Sequence, residues 1–142
     1  MSSFKSQNRS LSFQKAVAHR QLYKIGGASQ EPQKNQKKQT VLIVDDNDDL
    51  RFYLKDNLKT TFNILEATNG KEGWQKALAL HPNLIVSDVN MPEMNGLDLC
   101  KKIKTDNRTS HIPLILLTAL TQEEDQLAGL TNGANDYISK PF

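Results

Sequence analysis

The segment Val41-Leu42-Ile43-Val44-Asp45-Asp46 decides the fold class of this chain. Its four apolar residues are continuous, a pattern typical of a strand that is covered on both faces of a parallel sheet. Similar continuous runs at 84–86 and 114–117 predict two more strands of this kind. Two carboxylates follow the first run directly. The sequence therefore predicts a buried sheet with polar groups at the end of a strand.

Helical patterns alternate with apolar runs throughout residues 40–142. The run at 62–67 alternates apolar and polar side chains, which predicts an edge strand. Alternation of strands and helices implies right-handed βαβ units and a doubly wound parallel sheet, an α/β fold. The predicted strands are 40–44, 62–67, 84–87, 112–117 and 136–139, and the predicted helices are 47–59, 70–80, 95–105 and 122–132.

The net charge of +2 conceals two oppositely charged parts. Residues 1–39 carry eight Lys/Arg and one acid, whereas 40–142 carry ten Lys/Arg and fifteen Asp/Glu. The stretch 29–39 has no apolar residue and predicts a flexible linker, while helical periodicity before it predicts a helix at 12–25. We interpret 1–39 as a basic polar leader and 40–142 as the domain.

Composition excludes several classes of protein. No run approaches the roughly 18 apolar residues of a membrane span, so we expect a cytoplasmic protein whose segment makes no membrane contact. The single cysteine, Cys100, excludes an internal disulfide framework and a Cys-rich zinc site. The basic leader lacks interleaved aromatic residues, which favours a solvated linker over a nucleic-acid contact. An organellar transit peptide is the other alternative for its acid-free beginning.

Polar groups follow four of the predicted strands: Asp45 and Asp46 the first, Asp88 the third, Thr118 the fourth and Lys140 the fifth. Sites in open parallel sheets form at the carboxyl ends of the strands. Three ionised carboxylates there would repel one another without a cation, and hard oxygen ligands suit Mg²⁺. The acid pair after the first strand also suits a helix N-cap. The acid and the lysine at the matching strand ends favour the metal site over the cap.

These motifs resemble the receiver domain of bacterial two-component response regulators. The resemblance covers essentially all of 40–142, and the acidic opening with the polar leader is most similar to receivers fused behind a sensor kinase in hybrid systems. The matching segments are Val41–Asn47, Ser87–Pro92 with Asn95-Gly96, Leu117–Ala119 and Gly133–Phe142.

The resemblance implies a flavodoxin-like five-stranded sheet of order 2-1-3-4-5 and a site that binds Mg²⁺. Asp88 would accept a phosphoryl group from the phosphohistidine of a histidine kinase, in cis or in trans. Asp46 and Asp88 would ligate Mg²⁺ through their side chains, Asp45 mostly through a water, and Asn90 through its backbone carbonyl.

The resemblance also implies a conformational switch. Lys140 would pair with one phosphoryl oxygen and Thr118 would donate a hydrogen bond to another, and Tyr137 would swing inward as Thr118 moves. The domain would be a phospho-acceptor that assists its own phosphoryl transfer and dephosphorylation, not a separate enzyme. A downstream DNA-binding or effector domain outside this chain, and a dimer, are further expectations for partners.

Three other functions compete with this one. A flavodoxin-like mononucleotide binder needs a phosphate-cradling loop after the first strand, where this chain has the acidic run Asp45–Asp49. A Mg²⁺-dependent phosphatase would need a second acid two residues after Asp88, and Asn90 stands there. A receiver that has lost its function would lack an acid or Lys140, and all are present.

The chain stops directly after the fifth predicted strand, at Phe142. Receivers resembling it carry a further helix there. We therefore expect either that the chain is a fragment of a longer protein or that the helix at 12–25 takes the place of that last helix.

Overall fold

Five strands and three helices make up the part of the chain that the structure, a computed structural model, describes: residues 38–119 and 133–140. The predicted helices at 12–25 and 122–132 lie outside these residues. Along the chain the elements are β1 (Thr40–Val44), α1 (Asp48–Leu58), β2 (Asn63–Ala67), α2 (Gly70–Leu80), β3 (Leu84–Asp88), α3 (Gly96–Thr105), β4 (Leu114–Ala119) and β5 (Asp136–Lys140).

The strands form one parallel sheet in the order β2-β1-β3-β4-β5, which confirms the predicted fold class and strand order. The interior strand β1 pairs on both sides, so that Val44 lies opposite Ala67 of β2 and Ser87 of β3. β2 lies at one edge, as its alternating pattern predicts. Only Ala67, its last residue, is fully buried.

The strands β1 and β3 are buried on both faces of the sheet. Leu42 and Val44 point into a core with α2 and α3, whereas Val41 and Ile43 point into a second core with α1. All four side chains are completely buried. Successive strand residues point to opposite faces, so burial on both sides requires an uninterrupted apolar run.

All three described helices begin with an asparagine N-cap: Asn47, Asn69 and Asn95. Each side-chain oxygen accepts a hydrogen bond from a backbone N–H three residues later, at 2.8–3.1 Å. An N-cap of this kind stabilises a helix by about 0.5–2 kcal/mol relative to alanine. These caps fix where the helices begin, and therefore the lengths of the loops at the site.

β4 is displaced from its predicted position. The apolar run suggested 112–117, but the strand begins at Leu114 and ends at Ala119. Ile112 donates instead to the carbonyl of Thr109 in a turn. Pro113 has no N–H to add to a ladder, so the strand starts after it. The shift places Thr118 inside β4.

Cys100 lies completely buried in α3, among the side chains of the α2/α3 core. Burial raises the pKa of its thiol to about 11. We expect a thiol reagent at neutral pH to modify native protein at least a hundredfold more slowly than urea-unfolded protein, because the thiolate is scarce and shielded. Absorbance of the released chromophore measures this; similar rates in both states would contradict the burial of Cys100.

No helix in the described part of the chain is long and apolar enough to cross a membrane.

Candidate functional site: an acidic cluster at the carboxyl edge of the sheet

Asp45, Asp46 and Asp88 come together at the carboxyl ends of β1 and β3. Each offers a carboxylate oxygen, and these oxygens all lie within 4.8 Å of one another. The strand register explains the meeting: Val44 pairs with Ser87, so the residues that follow them emerge side by side. The structure thus brings together the three acids that the sequence predicted at one site.

The two buried acids are held by backbone groups. Asp45 is completely buried, and its Oδ1 accepts a hydrogen bond of 2.8 Å from the N–H of Asn47. Asp88 is 9% exposed, and its Oδ1 accepts one of 2.9 Å from the N–H of Val89. Asp46 is exposed at the rim. The cluster therefore consists of two buried carboxylates held by backbone N–H groups and one carboxylate exposed to solvent.

The alternative interpretation of Asp45 and Asp46 as helix caps is wrong. Asn47 is the N-cap of α1, and its side chain accepts from the N–H of Leu50. An amide oxygen meets this need as well as a carboxylate does, which leaves the two aspartates outside the helix. Their position is explained by the cluster and not by capping.

The donor set of the cluster fits a divalent hard cation. Three carboxylates this close repel one another when ionised, and a cation between them removes that repulsion. Mg²⁺ prefers oxygen ligands, takes few from the protein, and keeps several waters, which an opening at Asp46 allows. Asn90 lies exposed in the loop between β3 and α3, two residues beyond Asp88.

Thr118 and Lys140 reach the same edge by backbone register. Asp88 pairs with Leu117, so Thr118 is one residue beyond the level of Asp88 on the neighbouring strand. On β5, Lys140 pairs with Ala119, one residue further along. The structure describes these two residues by backbone alone, and the roles predicted for their side chains stay predictions.

Tyr137 lies on β5 opposite Leu116. Its half-buried ring packs against the core formed with α2 and α3. The predicted inward movement of this ring stays a prediction.

Two glycines let the loop after Asp88 approach its surroundings closely. The N–H of Gly96 donates to the carbonyl of Val89 at 2.8 Å, and a Cβ at Gly96 would lie 2.0 Å from the carbonyl oxygen of Asp88. The N–H of Gly70 likewise donates to the carbonyl of Met94, and a Cβ there would lie 2.3 Å from that oxygen. Side chains are excluded at both positions, so α3 and α2 fix the loop at its two ends.

Arg51 of α1 is a site residue whose role the sequence analysis missed. Its guanidinium donates to the carbonyl of Asp45 and to carboxylates of Asp48 and Glu66. Burial alone would lower the pKa of Arg51. The hydrogen bond to Asp48 and the charges of Asp48 and Glu66 together outweigh this effect, so the pKa is raised. Acid–arginine spacing of three residues on a helix was the available signal.

A family model described as "Response regulator receiver domain" matches residues 41–142. Among curated proteins, "Histidine kinase P4" of Formosa agariphila is 52% identical over 105 residues, which are 74% of this chain and 8% of that protein. "Chemotaxis protein CheY1" of Helicobacter pylori is 41% identical over 105 residues, 72% of this chain and 85% of that protein. The chain thus spans a small part of the first relative and most of the second.

Solved structures show the same likeness. A putative response regulator from Chloroflexus aurantiacus superposes with a TM-score of 0.72 at 34% identity, covering 75% of this chain and 88% of that one. The signal receiver domain of a histidine kinase from Syntrophus aciditrophicus gives a TM-score of 0.69 at 38% identity, covering 73% and 80%.

Proposed function

Because the chain belongs to the receiver-domain family of response regulators and so to phosphorelay signalling, we propose that Asp88 is its phospho-acceptor. One observation carries this assignment: the carboxylates of Asp45, Asp46 and Asp88 lie within 4.8 Å of one another. Asp88 is the member that ends the central strand β3. Family membership displaces the mononucleotide-binding and phosphatase alternatives.

In the proposed reaction, a carboxylate oxygen of Asp88 forms a bond to phosphorus while the P–N bond of a phosphohistidine breaks. The electron pair of that bond stays on the imidazole nitrogen, and the product is an acyl phosphate. An ionised carboxylate is already a nucleophile and needs no general base. The N–H of Val89, 2.9 Å from Oδ1 of Asp88, orients the carboxylate.

Bound Mg²⁺ would neutralise charge on the phosphoryl oxygens, where most catalysis of phosphoryl transfer resides. Asp46 and Asp88 would hold it through their side chains, Asp45 mostly through a water, and Asn90 through its backbone carbonyl. The fit of this donor set to a hard cation supports the assignment.

Lys140 and Thr118 would contact the transferred group from β5 and β4. The ammonium would pair with one phosphoryl oxygen and the hydroxyl would donate to another. Movement of Thr118 toward the phosphoryl group would free space, and the ring of Tyr137 would move inward. The register that brings both residues to the edge of Asp88 supports this switch.

The proposed phosphodonor is a histidine kinase, in cis or in trans, and the proposed location is the cytoplasm. Similarity over 74% of this chain to a region of a histidine kinase favours a receiver within a hybrid kinase. Effector domains and a dimer are proposed as further partners. Hydrolysis of the acyl phosphate by water, assisted by the domain itself, would release inorganic phosphate and end the signal.

Incubation with acetyl phosphate and Mg²⁺, followed by intact-mass measurement, tests the proposed function. We expect a gain of one phosphoryl group with Mg²⁺ and none in EDTA. No gain under either condition would contradict a functional phospho-acceptor and favour a receiver without that function.

Asp46→Asn is expected to raise the Mg²⁺ dissociation constant at least about tenfold, because a neutral amide replaces a charged ligand. Isothermal titration calorimetry measures the change. Asp49→Asn is the matched control, since Asp49 is also an exposed acid but lies in the first turn of α1, outside the cluster. Equal weakening by both variants would mean that general electrostatics, not ligation, holds the ion.

A further inference from the structure

Arg51 joins three separate segments around the acidic site. Its Nη1 donates to the carbonyl oxygen of Asp45 at 2.8 Å, its Nη2 to Oδ1 of Asp48 at 2.6 Å, and its Nε to Oε1 of Glu66 at 3.3 Å. The acceptors belong to the turn after β1, the first turn of α1, and strand β2. The Arg51 side chain is only 13% exposed, whereas its partner Asp48 is 84% exposed and Glu66 is 35% exposed.

The contact with Asp45 falls on the turn that carries two of the three clustered carboxylates. That turn is also held by the N–H of Asp45, which donates to the carbonyl of Ala67 at 3.0 Å, and by the N–H of Asn47, which donates to Oδ1 of Asp45. Arg51 adds a fixing point on the carbonyl side. A planar guanidinium offers five N–H donors in a rigid fork, which suits three acceptors in different directions.

We propose that Arg51 is a positioning residue that holds the Asp45–Asn47 turn in the geometry in which Asp45 and Asp46 face Asp88. The inference rests on the proposed function, because it takes the orientation of these carboxylates to serve metal binding. Arg51 contacts the backbone of Asp45 and acts through it. Glu66 connects Arg51 to strand β2, and its Oε2 also lies 3.2 Å from Nζ of Lys55.

The charge of Arg51 acts against a cation at the site, although Asp48 and Glu66 partly neutralise it. A neutral substitution would therefore mix two opposite effects: lost repulsion would strengthen Mg²⁺ binding, and lost positioning would weaken it. Arg51→Lys keeps the charge and removes the fork. One ammonium on a flexible stem cannot occupy the three positions of the guanidinium nitrogens together.

Amide hydrogen exchange in EDTA tests the positioning without any metal. In Arg51→Lys we expect the amides of Asp45 and Asn47 to exchange about tenfold faster than in the wild type, since the turn loses one of its fixing points. Arg108→Lys is the matched control, because Arg108 is 65% exposed and pairs with Asp106 outside the cluster. Wild-type exchange of both amides in Arg51→Lys would overturn the proposal.

Calorimetric titration with Mg²⁺ provides the second measurement. We expect Arg51→Lys to bind Mg²⁺ about three- to tenfold more weakly than the wild type and Arg108→Lys to bind like the wild type. Leu54→Ala, in the buried face of the same helix, supplies a destabilised fold with the Arg51 contacts retained. If it weakens Mg²⁺ binding as much as Arg51→Lys does, the role of Arg51 is only structural and the proposal fails.

These measurements distinguish failure of the proposed function from failure of the positioning role of Arg51. A wild-type chain that neither binds Mg²⁺ nor takes up a phosphoryl group would contradict the proposed function. A wild-type chain that does both, with Arg51→Lys behaving identically, would contradict the positioning role alone.

Discussion

Phosphoryl uptake from acetyl phosphate is expected to disappear completely in Asp88→Asn. The amide is a poor nucleophile, and it also replaces a charged ligand of the cluster with a neutral one. The fold should survive, because the amide oxygen can still accept the hydrogen bond that Oδ1 of Asp88 receives from Val89. Intact-mass measurement after incubation with Mg²⁺ reads the result, and circular dichroism checks the fold.

Asp98→Asn is the matched control for this substitution. Asp98 is an exposed acid in the first turn of α3 and lies outside the cluster. We expect it to take up one phosphoryl group at the wild-type rate within about twofold. Undiminished uptake by Asp88→Asn would show that another residue accepts the group.

Gly96→Ala is expected to lower the free energy of unfolding by about 2–3 kcal/mol and to impair phosphoryl uptake. The new Cβ would lie 2.0 Å from the carbonyl oxygen and 2.9 Å from the carbonyl carbon of Asp88. Both are backbone atoms of a central strand, which cannot rotate aside as a side chain can. The start of α3 must move away, and the loop after Asp88 moves with it.

Gly73→Ala distinguishes this clash from ordinary tight packing. The Cβ at Gly73 would meet the methyl groups of Val44 at 3.0 and 3.2 Å, side-chain atoms that can shift by tenths of an ångström. Alanine also favours a helix over glycine by about 1 kcal/mol. The free energy of unfolding, measured in urea, should therefore change by less than about 1 kcal/mol. Equal loss in both variants would contradict the special position of Gly96.

The fold class and the acidic cluster were predictable from the sequence because they follow from periodicity and strand direction. An apolar run that must be buried on both faces, as at 41–44, leaves little choice but a covered parallel sheet. Parallel strands then bring their carboxyl ends to one edge. Asp45, Asp46 and Asp88 lie at the ends of two such strands, and the pairing of Val44 with Ser87 makes them neighbours.

The features that sequence reasoning missed depend on single contacts. Whether Asn47 or one of the preceding aspartates caps α1 is decided by the local turn, since both Asn and Asp suit an N-cap. Gly96 fits a turn equally well whether or not a backbone oxygen lies 2.0 Å from its missing side chain. Arg51 can pair with several acids, and only the packing of α1 against β1 and β2 selects Glu66 and the carbonyl of Asp45 as its acceptors.

Locating the phosphoryl group on the chain tests whether Asp88 accepts it. After incubation with acetyl phosphate and Mg²⁺, borohydride reduction converts a phosphorylated aspartate into homoserine, which peptide mass spectrometry identifies by position. We predict homoserine at position 88 alone. Homoserine at 45 or 46, or a phosphoryl group found only on a histidine, would contradict the assignment of Asp88 as the phospho-acceptor.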